Sequence, residues 1–194
     1  MDLNYSTHFI FPTCIHIFET KDFESVKDEL IQHVYKERDN NPEGRIISNR
    51  GGWQSRDFIK DDKIYSIIGK IICKLPVLNE RMNFTMNCWF NINGKGDYNS
   101  RHVHPNSDLS GVFWIKTPMN CGNIVFGSPH NFSSYMEIQS YTQEFKDDTG
   151  CTCSHFFNPI EGKMLIFPSS LAHEVEQNES DEDRISVSFN IKFK

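Results

Sequence analysis

The sequence predicts an α+β domain that is mainly β, with helices packed outside a sandwich or barrel of short strands. Before residue 76, apolar residues recur at helical spacing; after residue 83, they alternate with polar ones at the spacing of two that marks half-buried strands. The 194 residues suit one domain with a sizeable core, and no internal repeat, linker or low-complexity tract divides them. The chain is therefore read as a single domain, 1–194, with helical support over about 20–76 and a β core over about 83–194.

The elements follow in order. Residues 8–18, HFIFPTCIHIF, are aromatic and β-branched and predict a strand broken at Pro12. In KDFESVKDELIQHVYKER, Phe23, Val26, Leu30 and Val34 share one helical face, and Asp22 stands where a cap belongs. NRGGWQSRDF reads as a glycine turn carrying an exposed Trp53. DDKIYSIIGKIICKLP gives the clearest helix: Ile64, Ile67, Ile68, Ile71, Ile72 and Leu75 form one stripe, and Pro76 ends it. In NFTMNCWFNIN (83–93), Phe84, Met86, Cys88, Phe90 and Ile92 take one face; Thr85, Asn87, Trp89, Asn91 and Asn93 take the other. SGVFWIKTP, GNIVFGSP and GKMLIFPS are further strands. RISVSFNIKFK alternates strictly, with Ile185, Val187, Phe189 and Ile191 against Arg184, Ser186, Ser188 and Asn190. Residues 128–158 are the least patterned and read as a long loop or irregular insertion.

Charge and composition narrow the function classes. A net charge of −6 with no Lys/Arg run argues against nucleic acid and against a phosphate-binding surface. The start MDLNYSTHFIFP lacks the form of a secretory signal, and no apolar run reaches membrane-spanning length, so a cytoplasmic location is expected. Cysteines 14, 73, 88, 121, 151 and 153 are then expected as reduced thiols. CTCSH (151–155) has a spacing that fits no common zinc site and reads as a loop.

The candidate chemistry sits on three histidines and one arginine. SRHVHPNSDLSG places His102 and His104 two apart, so on a strand both imidazoles project to one side, as a metal site needs. The following Pro105, Asn106, Ser107 and Asp108 are turn residues, and two surface histidines beside a turn are the plain alternative. His173 follows an apolar strand and a Pro-Ser-Ser bend. Arg184 and Ser186 point the same way from the last strand. A guanidinium and a hydroxyl on one cavity wall form a receptor for a carboxylate, whereas on a solvent-facing side they need no explanation.

The ordered set H-x-H, SGVFWI, GNIVFG, EGKMLIFPSSLAH and RISVSFN resembles a family of 2-oxoglutarate- and Fe(II)-dependent oxygenases. That family is common in bacterial and bacteriophage genomes and is related to prolyl 4-hydroxylases. The resemblance covers roughly residues 83–194, and SNRGGWQS (48–55) is similar to the family's upstream segment. It implies a double-stranded β-helix, or jelly roll, with supporting N-terminal helices. It also implies a dioxygenase, in the sense of a hydroxylase, that uses Fe(II), 2-oxoglutarate and O2 on an unidentified substrate; a peptide or protein side chain is one plausible class. If the chain is viral, its location is the host cytoplasm. Carried over, His102 and His173 are iron ligands, and Arg184 and Ser186 hold the far carboxylate of 2-oxoglutarate. The family's carboxylate ligand is replaced by His104. Either His104 binds iron, or Asp108 supplies the carboxylate, or His104 stands beside the metal; the i, i+2 spacing favours His104. Trp89 and Asn91 are placed to line the pocket, and Trp53 and Gln54 are candidate substrate contacts.

Three other functions compete. Gly96, His102, His104 and Asp108, with Gly162, Pro168, His173 and Gln177, approximate the two cupin motifs, which would give a metal dioxygenase or isomerase without 2-oxoglutarate. Three histidines suit a zinc hydrolase or hydratase, although no dedicated general base is visible. A metal-free jelly-roll binding module is the non-catalytic alternative.

Overall fold

A computed structural model describes residues 4, 6–8, 10–57, 63–75, 83–130 and 135–194. Its helices are α1 (Glu24–Asn40), α2 (Lys63–Ile72), α3 (Tyr135–Ser140) and α4 (Gln143–Thr149). The first strands are β1 (His16–Glu19), β2 (Asn49–Arg50), β3 (Trp53–Gln54), β4 (Phe84–Asn93), β5 (Tyr98–His102) and β6 (Leu109–Lys116). They are followed by β7 (Ile124–Gly127), β8 (Ser154–Phe157), β9 (Lys163–Pro168), β10 (His173–Val175) and β11 (Arg184–Phe193). Pairing is antiparallel throughout, in a six-stranded sheet ordered β1-β9-β6-β11-β4-β3 and a five-stranded sheet ordered β2-β5-β10-β7-β8. No helix among the described residues is long and apolar enough to cross a membrane.

The alternation read from sequence assigns the two faces of the larger sheet. Met86, Cys88, Phe90 and Ile92 of β4, and Ile185, Val187, Phe189 and Ile191 of β11, pack with Phe113, Ile115, Met164 and Ile166 against the helices. The helices contribute Leu30 and Val34 from α1, and Ile64, Ile68 and Ile72 from α2. Each such buried side chain is worth about 1.5–3 kcal/mol of transfer free energy. The opposite face carries Val112, Trp114, Leu165 and Phe167, which meet Ile124 and Phe126 of the smaller sheet. The polar side chains of β4 and β11 also face this way, so the sheet presents a mixed wall to the space between the sheets. Gly111 lets β6 pass beneath Phe189, since a Cβ there would lie 2.2 Å from that ring.

Several expectations change. Asp22 does not cap α1 with its side chain. Phe23 occupies the cap position without a side-chain bond and is buried edge-on to Phe113 at 5.7 Å; burying that ring leaves the helix start to backbone bonds. Of the described residues within 8–18, only those from His16 onward join a strand, because β9 offers β1 four partners, His16↔Ile166 to Glu19↔Lys163. The segment 128–158 is not simply loop: it holds α3, α4 and β8, and Thr142 caps α4 by accepting from Phe145 N–H at 3.2 Å. Trp53 is not exposed. It packs in the helix-side core, and its indole N–H donates to Asn41 O at 2.8 Å. Pro76 lies outside the described residues.

Candidate metal centre

The site begins with one strand pair. In the register of β5 and β10, His102 stands directly opposite His173, so both imidazoles leave the same face of the smaller sheet. His102 is the last residue of β5, and His104 lies beyond the strand in the turn that follows. Two features hold that turn: His104 N–H donates to Ser169 O at 2.9 Å, and Asn106 adopts a left-handed φ of 66°. The i, i+2 convergence therefore comes from a pinned extended turn rather than from two residues of one strand.

The three rings close on one point. Ring centroids are 5.0 Å apart for His102–His104, 4.4 Å for His102–His173 and 5.1 Å for His104–His173. Their ligand nitrogens all lie within 4.8 Å of one another, and the Nε2 atoms of His104 and His173 are 3.3 Å apart. A carbonyl can only accept, so His102 Nδ1 donates to Ser100 O at 2.7 Å and His173 Nδ1 to Leu171 O at 2.9 Å. In the neutral ring this fixes the tautomer and leaves each Nε2 with a lone pair aimed inward. Burial lowers the pKa of His102, and pushes His104 down to about 3 and His173 to about 4; for His104, the neighbouring His173 and His102 add to the shift. Neutral imidazoles with converging ring nitrogens are a donor set that fits a divalent transition metal.

The other predicted residues divide. Arg184, 2% exposed, lines the same cavity as the histidines, together with Ser186, Trp89 and Asn91. Its Nη1 donates to the carbonyls of Cys121, Gly122 and Glu176 at 2.6, 3.3 and 3.4 Å. Desolvation pulls its pKa to about 10, which leaves it charged at neutral pH. Ser186 sits between Asn91 and Trp114 in the strand registers. The Trp89 ring stands 5.9 Å from that of His104, and the Arg45 guanidinium lies over its face at 6.0 Å. Asp108 points elsewhere: its carboxylate accepts from Phe193 N–H at 2.8 Å, and it is not in the cluster of close ligand atoms. Trp53 and Gln54 are buried and do not line the cavity.

Sequence reasoning missed part of the site. Asn93, Asn99, Ser48, Ser188 and Trp114 also line the cavity. Asn93 and Ser188 were within reach, since each continues a face already assigned. Ser48 and Asn99 needed the pairing of β2 with β5. A buried relay behind the turn was also missed. Ser169 Oγ bonds Ser110 Oγ at 2.7 Å, and Ser110 donates to Asn190 Oδ1 at 2.8 Å, which ties the His104 anchor to β11. No local signal joins residues 110, 169 and 190.

Comparison with known proteins gives a family and a fold. The sequence profile described as "Putative 2OG-Fe(II) oxygenase" matches residues 87–190. No curated protein matches the chain by sequence. Among solved structures, a Pseudomonas putida prolyl-4-hydroxylase is similar with TM-score 0.62 at 14% identity, over 92% of each chain. A Trichoplax adhaerens prolyl hydroxylase, in complex with a hypoxia inducible factor oxygen degradation domain peptide fragment, gives TM-score 0.60 at 15% identity, over 92% of this chain and 83% of that one. HygX from Streptomyces hygroscopicus, with nickel and 2-oxoglutarate bound, gives 0.60 at 11% identity, over 93% and 83%. The chain spans 54% of a longer Burkholderia pseudomallei oxidoreductase of the 2OG-Fe(II) oxygenase family. Identities this low speak to the fold alone.

Proposed function

The chain belongs to the 2OG-Fe(II) oxygenase family, and from that premise we propose that it is an Fe(II)- and 2-oxoglutarate-dependent hydroxylase whose iron ligands are His102, His104 and His173. The two sheets are read as the walls of a double-stranded β-helix, with the site between them. The observation that carries the reading is the convergence of three neutral imidazole nitrogens in a cavity whose wall also carries a buried guanidinium.

Bound iron together with 2-oxoglutarate supplies the activation of oxygen, coupled to decarboxylation of the keto acid. The chain's own part is orientation. Ser100 O and Leu171 O hold the His102 and His173 rings with Nε2 inward. Ser169 O sets the height of His104. Arg184, already anchored by three carbonyls, binds the far carboxylate of the co-substrate, and Ser186 donates a further hydrogen bond. Val112, Trp114, Ile124 and Phe167 keep water from the inner wall, which strengthens that charge pair. His104 takes the place of the family's carboxylate ligand, because Asp108 is engaged with Phe193. The proposed substrate class is a peptide or protein side chain, as in the prolyl hydroxylases that share the fold.

A thermal-melt experiment without oxygen tests this reading. Fe(II) and 2-oxoglutarate together are expected to raise the melting temperature beyond the rise given by Fe(II) alone, by mass action on a bound state. If 2-oxoglutarate adds nothing to the Fe(II) shift, the oxygenase reading is wrong.

A further inference from the structure

Two of the three histidines are oriented by hydrogen bonds, and the third is not. His102 and His173 each donate Nδ1–H to a backbone carbonyl, so neither ring can turn over without breaking that bond. Among the described residues nothing bonds Nδ1 of His104; its ring makes one polar contact, through Nε2 to His173. The bond from His104 N–H to Ser169 O fixes the backbone but leaves the ring torsion open. A half-turn about that torsion puts Cε1 where Nε2 stood. A carboxylate, which fills this place in the family, has two equivalent oxygens and survives the same half-turn. An imidazole does not, so its presence here needs something that holds the ring.

Trp89 stands where such a support belongs. Its ring lies 5.9 Å from that of His104, tilted by 34°, and among the described residues it makes no ring contact with His102 or His173. The Arg45 guanidinium lies over the indole at 6.0 Å. Arg45 is itself fixed: its N–H donates to Gln54 O and its Nε–H to Ser55 O, each at 2.9 Å, and its guanidinium pairs with Asp57. Asp57 also accepts from Asn87 Nδ2 at 3.0 Å, and Asn87 lies two residues from Trp89 on the same side of β4. Gly44 permits this approach, since at its φ of 52° a Cβ would lie 2.5 Å from Gln54 O. The brace thus runs from Asn87 through Asp57 and Arg45 to Trp89, and ends against His104.

Resting on the three-histidine metal site proposed above, and not on the co-substrate, we infer that Trp89 and the Arg45–Asp57 pair are positioning residues for the metal. They keep Nε2 of His104 turned inward, in place of the hydrogen bond that orients each of the other two rings. Trp89 acts on His104 directly, and Arg45 acts through Trp89.

Co(II) alone tests this, because its d–d absorption reports the geometry of its ligands and needs neither co-substrate nor oxygen. The wild-type protein is expected to bind one Co(II) per chain with a visible band. Arg45→Gln is expected to bind it about tenfold more weakly, the low end of what such outer partners contribute, and to change the band. Arg45→Lys keeps a cation over the ring and is expected to restore the band and most of the affinity. The metal-free melting temperature of Arg45→Gln should fall by no more than about 2–4 °C, as for loss of a part-exposed ion pair. Wild-type affinity and band in Arg45→Gln overturn the inference. Equal losses in the Gln and Lys variants, tracking a lower metal-free melting temperature, also overturn it, since a purely structural residue behaves that way. Trp89→Ala should lose more affinity than Trp89→Phe; wild-type binding in Trp89→Ala overturns the inference, and the Arg45 variants decide the matter if Trp89→Ala does not fold. If the wild-type protein binds no Co(II), the metal site and this inference fall together. If Co(II) behaves as expected while 2-oxoglutarate adds nothing in the thermal melt, the oxygenase reading falls and this inference stands.

Discussion

Replacing Arg184 with glutamine removes the one charged side chain that lines the cavity among the described residues, and most of its reach. Two effects have to be separated. For the fold, the carbonyls of Cys121, Gly122 and Glu176 lose a charged donor. A hydrogen bond to a charged group contributes about 1.5–3 kcal/mol, but relief of the buried guanidinium's desolvation offsets much of that. A net loss of about 1–2 kcal/mol, or about 2–8 °C in a chain of this size, is expected. For the co-substrate, truncating one partner of a desolvated charge pair costs about 2–5 kcal/mol, so 2-oxoglutarate should bind at least about 30-fold more weakly. None of the three histidines hydrogen-bonds to Arg184, so Fe(II) affinity should stay within about threefold, well under 1 kcal/mol. The assay is a pair of anaerobic titrations, of 2-oxoglutarate into Fe(II)-loaded protein and of Fe(II) into metal-free protein, with the melting temperature measured alongside. A 2-oxoglutarate affinity unchanged in Arg184→Gln refutes the carboxylate assignment. Equal loss of both ligands in a folded variant refutes the division of labour between Arg184 and the histidines.

Other perturbations probe the same architecture. His104→Ala should abolish tight Fe(II) retention, whereas Asp108→Ala should keep iron and lower stability by about 1–2 kcal/mol through loss of the bond to Phe193 N–H; metal analysis after desalting distinguishes them. Ser169→Ala breaks the relay to Ser110 and Asn190, and should weaken Fe(II) binding while leaving far-UV circular dichroism unchanged, with partial recovery in Ser169→Thr. In the metal-free protein, His104 and His173 have folded pKa values of about 3 and 4, below the roughly 6.5 of an unfolded histidine. The unfolded chain then binds protons that the folded chain does not, so stability falls as pH drops from about 6.5 towards 3. Melting curves should show this slope, and it should flatten in the His104→Gln/His173→Gln double variant. Phe189→Ala, at a fully buried ring over Gly111, should cost about 3–5 kcal/mol in a denaturant melt.

What the sequence showed depended on the range of the information. Period-two alternation in β4 and β11 is local, and it assigned both faces correctly, including the polar face that holds Arg184, Ser186, Trp89 and Asn91. The isoleucine stripe of α2 was equally legible. Strands of two to five residues, such as β2, β3, β5 and β10, carry too little pattern to stand out, and they exist because neighbours supply their hydrogen bonds. The pairing of His102 with His173 is a matter of register across seventy residues, which no local signal encodes. Trp53 beside Gly51 and Gly52 looked exposed and stood as a candidate substrate contact. The glycines instead turn the chain at positive φ, so that the ring drops into the core. Asp108 looked available as a ligand because its distant partner, Phe193 N–H, belongs to the last strand.

The most direct test of the central claim is an anaerobic titration of Fe(II) into the protein in the presence of 2-oxoglutarate, followed by the visible charge-transfer band. The account predicts a band that saturates at one Fe(II) per chain and is lost in each of the single variants His102→Ala, His104→Ala and His173→Ala. A protein that gives no band, or a band that survives removal of any one of these histidines, would contradict it.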